Sequence, residues 1–547
     1  MQHWIDKCCT SHPGCSEPEH WVPSRLVDIG TDPLNPEPRL IETTTTTAAD
    51  DGEGNHPQSF RYCALSHMWG DPSVLPPLRT LQSNYDAFRA RLRMQDLPQN
   101  FRDAVYVCGA LGIRYVWIDS LCIVQDSPAD WAREAARMHL VYRHAVVTIV
   151  AASAVSSHDG FLRRDVSLAP CAKIRYSLAR EKSPEDADAR SGTRTMVLSP
   201  RDPDEKGHRF QDVDQSRWNS RGWTMQERSL SSRLLYFCRD KIYFECRGAQ
   251  WSEENEPQEK SSGPFGLWPR GGTTAAAPQK LYAQWRAAVA EYSRRALTYA
   301  ADKLVAIGSV AAEMERRVAD EYIPSAGMWY NDLPEELVWY VSAGSIASRP
   351  PQRRAPSWSW AALDGRVGFE NGARTTPLRA DYAELFARHP FAVVGLLAPE
   401  LNASNSMPPP RLQLRGLSRP IRHMTKLVTD DYWVSINRGL YMYDLATTSP
   451  TEETDAGGEG DRPIFAHGTL DLDDRDGVLS KGYRLLYVHV TCATHPNGLI
   501  LAMPPSQGTE EEVWERVGVA TIFSLSGPPI LDDSPGDWYR PSTVTVA

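Results

Sequence analysis

The stretch "NFRDAVYVCGALGIRYVWIDSLCIV", Asn100 to Val124, sets the reading of the fold. Its first half has the spacing of a helix, with Asn100 as N-cap, Asp103 at the third helical position and Gly112 as the stop. Its second half, "IRYVWIDSLCIV", is too continuously apolar for a half-exposed strand and predicts a buried one. A second helix follows in "SPADWAREAARMHLVYRHA", with Ser127 as cap, Pro128 at the first position and Asp130 reaching back. Trp131, Ala135, Met138, Tyr142 and Ala145 draw one apolar stripe along it. "RYCALS" before this block and "VVTIVAAS" after it supply further buried strands. Alternating strand and helix implies right-handed crossovers and a mainly parallel α/β sheet flanked by helices.

The chain of 547 residues is too long for one core, so several domains are expected. Polar, Thr-, Gly- and Pro-rich segments run from Glu42 to Gln58, Ser252 to Gln279 and Thr447 to Pro463, and an insertion covers Glu181 to Asp214. They divide the chain into an N-terminal segment and loop (1–58), an α/β domain (59–251), a linker (252–279), a helical region closed by a Trp-rich strand (280–365) and a C-terminal β-rich region (366–547). In the helical region "RAPSWSWAALDG" alternates Trp358 and Trp360 as one face of a short strand; beyond it the alternation reads as antiparallel β.

A net charge of −10 gives no broad footprint for nucleic acid or an anionic membrane. The N-terminus lacks the pattern of a signal peptide, and no apolar run is long enough to span a bilayer. Ten Cys, several inside apolar runs, suit a reducing compartment, so a cytoplasmic protein is expected. Cys8, Cys9, His12, Cys15 and His20 have the residue types of a zinc site but no paired C-x2-C. They read instead as part of a polar segment docking through Trp4, Trp21 and Val22, and neither a metal nor a resident cofactor is expected.

Three blocks, "YCALSHMWGD" (Tyr62 to Asp71), "LGIRYVWIDSLCIVQD" (Leu111 to Asp126) with the helix and strand after it, and "RGWTMQERSLSSRLLYF" (Arg221 to Phe237), resemble in order and spacing the fungal heterokaryon incompatibility (HET) domain. "YSRRALTYAADKLVAIGSVA" and "RAPSWSWAALDG" resemble the segment that often follows it. The resemblance implies a role in non-self recognition with programmed cell death as output, through self-association and an incompatibility partner protein. It also implies distant similarity to TIR domains, a flavodoxin-like fold of which some members cleave NAD+ with a single glutamate.

Carried onto this chain, that pattern places Ser66 at the end of the first strand and Ser220, Trp223, Thr224 and Glu227 at the start of the helix bearing the acid, with Thr224 where Cys would stand. The long insertion between Ser153 and Ser220 departs from the compact TIR arrangement. Glu227 is the candidate catalytic acid. Ser66, Trp69, Asp119, Ser120, Arg221 and Trp223 are candidates for holding NAD+ as substrate. Strand ends at Ser66, Asp119 and Ser153 would line the crevice where open α/β sheets bind ligands. Each has a plainer reading: Glu227 as a helix-end acid, Ser220 as an N-cap, Asp119 as the cap of the next turn. The adjacent Ser66 and His67 point to opposite faces and do not make a nucleophile and base. Besides the enzyme, the sequence leaves open a non-enzymatic module acting by assembly; no Gly-rich phosphate loop or nucleophile elbow supports a housekeeping enzyme.

Overall fold

Apolar runs with no polar face are satisfied only where a sheet is covered on both sides, and the chain places its own there. The computed structural model describes residues 1–12, 15, 21–43, 60–163, 172–177, 193–198, 210–239, 241–253, 258–259, 277–342, 344–369, 388, 390–397, 409–421, 423–426, 442–446, 464–471, 483–490, 497–504, 512–522 and 542–547. The four polar segments singled out in the sequence lie largely outside them. Two compact units emerge, one reaching to Pro264 and one running from Thr273 to Ala547.

In the first unit the strands are β1 (Arg25–Asp28), β2 (Arg39–Glu42), β3 (Tyr62–Ser66), β4 (Tyr115–Ile118), β5 (Val147–Val150), the separate hairpin β6 (Ala172–Ser177) and β7 (Thr193–Leu198), then β8 (Arg233–Phe237), β9 (Ile242–Cys246), β10 (Ala249–Ser252) and β11 (Gln258–Glu259). One sheet takes the order β11-β10-β9-β8-β5-β3-β4-β1-β2. β3 runs parallel to β4 and β5, and β5 parallel to β8. The flanking pairs are antiparallel, so the sheet is mixed, with a parallel centre and antiparallel edges. Winding reverses between β3 and β5, which puts a switch point at the carboxyl end of β3. The N-terminal segment is built into this unit through β1 and β2. Trp4 packs 6.2 Å from Phe244 and Trp21 5.6 Å from His144, ring centre to ring centre.

The helices are α1 (Gln2–Ser11), α2 (Tyr85–Ala90), α3 (Gln99–Ala110), α4 (Asp119–Cys122), α5 (Pro128–Ala135), α6 (Met138–His144) and α7 (Thr224–Leu230). α3 stops as expected, Gly112 following at φ +65°. Its start differs, because the N-cap is Pro98 and Asn100 is buried inside the first turn. The Asn100 side chain donates to the Ser156 carbonyl at 3.0 Å and accepts the Gly160 amide at 2.9 Å. Asp103 accepts the amides of Phe161 and Leu162 at 2.7 and 3.1 Å. Both side chains thus fasten the loop after β5 to α3.

The buried strand also ends earlier than its apolar run, because Asp119 starts the helical turn α4 and the Val124 amide bonds to Asp130 at 2.8 Å. The single helix expected after Ser127 is two, α5 and α6, with Ser127 and Pro128 placed as read. Trp131 is 38% exposed while Ala135, Met138, Tyr142 and Ala145 are buried, so the apolar stripe begins one turn later. Asp130 does not reach back to the cap: the Ser127 amide bonds to the Val124 carbonyl, and the Asp130 carboxylate is buried in ion pairs with Arg25 of β1 and with Arg133. Glu134 is buried as well and pairs with Arg133 at 3.1 Å.

In the expected helical region the second unit carries the helices Pro278–Tyr292 and Asp302–Glu315, and beyond it ten strands in one sheet, antiparallel apart from the pair Val513–Ile522 and Ser542–Val546. Trp358 and Trp360 are fully buried but lie in a turn and a 3-10 turn, not a strand. Their polar atoms explain it: Trp360 donates to the Gly327 carbonyl at 2.9 Å, and the Trp358 carbonyl accepts from Trp339 at 3.0 Å. Ser357 bonds to Ala547 and accepts the Arg516 amide, so this turn and the β sheet share one core. Buried Arg516 pairs with Asp471 at 2.6 Å and lies 3.4 Å over the Trp339 ring. No helix among the described residues is long and apolar enough to cross a membrane.

Gly160, at φ +79°, leaves a Cβ only 2.5 Å from Gln99 Cγ and 3.1 Å from Asp103 Oδ2. Gly160→Ala is therefore expected to cost about 1–3 kcal/mol, read as a lower urea midpoint together with faster hydrogen exchange at Phe161 and Leu162.

Candidate functional site

Ser66 is the last residue of β3, and its hydroxyl is used twice. It donates to Glu227 Oε2 and accepts from Trp218 Nε1 at 2.6 Å. Glu227 stands in the first turn of α7, where its amide bonds to the Trp223 carbonyl at 3.4 Å. The Glu227 carbonyl accepts from Ser231 at 2.6 Å, and Ser231 meets Thr148 of β5 at 2.7 Å. A strand end and a helix 161 residues later are so joined at the switch point. This inner group is closed: Ser66 is 1% exposed, Glu227 4% and Trp218 0%.

On the other face of the strand end, His67 is buried edge-on against Phe101, with ring centres 5.2 Å apart. Its Nδ1 lies 4.0 Å from Asp119 Oδ1, neither ring nitrogen has a hydrogen-bond partner, and its carbonyl accepts from Arg221 at 2.5 Å. Burial pulls the imidazole down to about 4, opposed by Asp119 and aided by Arg221, so it is neutral near pH 7. The divergence expected of Ser66 and His67 is what the contacts display.

Asp119 accepts from Trp69 Nε1 at 2.9 Å and from the Ser120 amide at 2.7 Å. It therefore bonds to the next amide in the turn it starts, without capping it, and also holds the Trp69 ring. Ser120 is a different case, because its hydroxyl is buried without a partner, away from solvent. Trp69, Arg221 and Trp223 are half-buried, and Asp119 keeps 22% of its side chain exposed, so these four form the outer rim. Ser220 is exposed and bonds back to the Arg217 carbonyl at 2.7 Å; it is not the cap of α7, whose N-cap is Trp223 with no side-chain cap bond. Ser153 lies past the end of β5, exposed, its amide on the Phe237 carbonyl at 3.2 Å.

Two members of the inner group escaped the sequence reading. Trp218 sits in a short 3-10 turn with no periodicity to mark it, and only tertiary folding aims its indole N–H at Ser66. Arg228 looks like a surface residue of α7 but is buried behind it, 2.7 Å from Asp214, 3.5 Å from Glu245 and over the Tyr236 ring. Burial works against its charge, but Tyr236, Glu245 and Asp214 more than offset that and hold it above its ordinary value. The side of α7 behind Glu227 is thereby fixed by a charged network. Among the described residues, no three metal-ligating side chains converge around Glu227.

Residues 62–227 match the family model described as heterokaryon incompatibility protein (HET). The match opens on β3 and closes on Glu227. No curated protein and no solved structure matches the chain.

His67 makes a pH prediction. Its folded value lies below the unfolded one near 6.5, so the unfolded chain binds the extra proton, and stability present above pH 6.5 is lost as pH falls towards about 4. Urea unfolding is expected to show the wild type losing about 3 kcal/mol more across that window than His67→Gln.

Proposed function

Because this chain carries a HET domain, we propose that it acts as an effector of heterokaryon incompatibility, and that Glu227 cleaves the bond between nicotinamide and ribose in NAD+ from a TIR-like site. The observation that carries this reading is the pairing of Ser66 with Glu227 at the carboxyl end of β3. A carboxylate anchored at a switch point, inside a rim of Trp69, Asp119, Arg221 and Trp223, has the composition that a dinucleotide with a cationic ring calls for. The rim rings suit the nicotinamide or adenine faces, and the guanidinium suits the pyrophosphate.

In the reaction the C1′–N bond breaks, and nicotinamide leaves with the bonding electron pair. Charge on the ribose becomes oxocarbenium-like, and the Glu227 carboxylate stabilises it while accepting hydrogen bonds from the ribose hydroxyls. Water adds to C1′ and releases one proton, giving ADP-ribose.

Glu227 is 4% exposed and engaged by Ser66, so the arrangement described is a resting one. Access requires α7 to shift from β3, a change that self-association or an incompatibility partner would drive, with cell death in the cytoplasm as the output. The same closure favours a second reading, in which Glu227 only ties α7 to the sheet and the domain signals by protein assembly without chemistry.

Nicotinamide release from NAD+ by concentrated full-length protein separates the two. The enzyme reading expects release that falls about a hundredfold or more in Glu227→Gln, with the melting temperature of the variant checked alongside. Intact NAD+ with self-associating wild-type protein, and an incompatibility reaction that survives Glu227→Gln, would leave the assembly reading.

A further inference from the structure

The first fifteen residues hold Cys8, His12 and Cys15 in the spacing C-x3-H-x2-C. Cys8 and His12 are four apart at the end of α1, which stacks them on one face. The His12 amide bonds to the Cys8 carbonyl at 3.0 Å, and the Cys15 amide to the His12 carbonyl at 2.8 Å. Local backbone structure thus wraps three ligand-type residues around one point. A fourth arrives from the last residue of β9, where Cys246 Sγ lies 3.4 Å from His12 Nδ1, across 234 residues of chain. One sulfur or nitrogen atom of each of the four lies within 4.8 Å of the others. Cys8 is 0% exposed, Cys15 and Cys246 1% each, and all three are free thiols.

We propose that Cys8, His12, Cys15 and Cys246 form a structural Zn2+ site. Three thiolates and an imidazole are the soft, borderline donors that Zn2+ takes in closed tetrahedral sites, and with four protein ligands no position is left for a reacting water. Tetrahedral Zn–S and Zn–N bonds set a sulfur-to-nitrogen edge of about 3.6 Å, close to the 3.4 Å between Cys246 and His12.

The Ala249 amide donates to Cys246 Sγ at 3.2 Å. Such an N–H donor disperses thiolate charge and orients the ligand. Gly248 lets the turn close on the imidazole, since a Cβ there would meet His12 Cγ at 3.0 Å and Nδ1 at 3.2 Å. The other face of the ring leans towards Trp251 at 5.8 Å. A disulfide would use two thiols and strand the third with the imidazole; a metal uses all four. Cys9, in the same helix, is not part of the group, and His20 lies outside the described residues. The site pins α1 to the β9-β10 hairpin, so that metal binding adds directly to folding free energy.

Full-length protein purified under reducing conditions without chelator is expected to hold about one Zn2+ per chain by elemental mass spectrometry. Cys8→Ser and Cys246→Ser should lose it while Cys9→Ser keeps it. Should the ligand variants misfold, Co2+ exchanged into the wild type decides, because a tetrahedral sulfur-rich centre gives intense ligand-field and thiolate charge-transfer bands. The proposal is overturned if folded protein incubated with Zn2+ retains none, if the Co2+ spectrum is that of an octahedral oxygen-bound ion, if Cys9→Ser loses metal as the ligand variants do, or if the thiols of freshly purified protein are found joined in a disulfide.

Discussion

The hydroxyl of Ser66 is the point on which the first unit's site depends. It stands at the end of β3, takes the indole N–H of Trp218 and gives its own proton to Glu227. This uses its only proton and one of its two lone pairs, and removing any of the three groups leaves a buried polar partner unsatisfied at a cost of about 1–3 kcal/mol. That triple contact fixes where α7 lies over the parallel centre, and with it the distance between the acid and the rim at Asp119 and Trp69.

The same closure sets the terms of function. A carboxylate at a switch point is in the place where α/β sheets meet ligands, yet here it is held against a serine and shielded from water. The charged network of Arg228, Asp214 and Glu245 behind α7 holds the helix from its other side. The metal-type cluster at the far strands answers a separate need: α1 is a ten-residue helix, shorter than isolated helices need to be stable. Cross-linking it to the end of β9 makes it part of the sheet.

Much of the parallel centre was legible in the sequence. "RYCALS" and "VVTIVAAS" became β3 and β5, and the alternation with helices fixed the parallel pairing. The element ends were less legible. Asn100 has the local pattern of a cap yet holds the 156–160 loop; Asp130 has that of an acid reaching back to its cap yet pairs with Arg25 of β1. Trp358 and Trp360 alternate like strand residues, but both lie in turns, where the Trp360 indole reaches the Gly327 carbonyl and the Trp358 carbonyl takes the Trp339 indole.

Of the site, predicted strand ends marked Ser66 and Asp119, whereas Glu227 came from the resemblance to TIR domains, since locally it reads only as an acid at a helix start. It did not supply Trp218, the neutral burial of His67 or the anchoring of Arg228, and it did not join Cys246 to Cys8, His12 and Cys15. Local pattern records which face of an element is apolar and where it stops, since those follow from backbone geometry and hydration within a few residues. Which polar atoms meet across 152, 161 or 234 residues is decided by packing, once the sheet order has brought distant strand ends to the same edge.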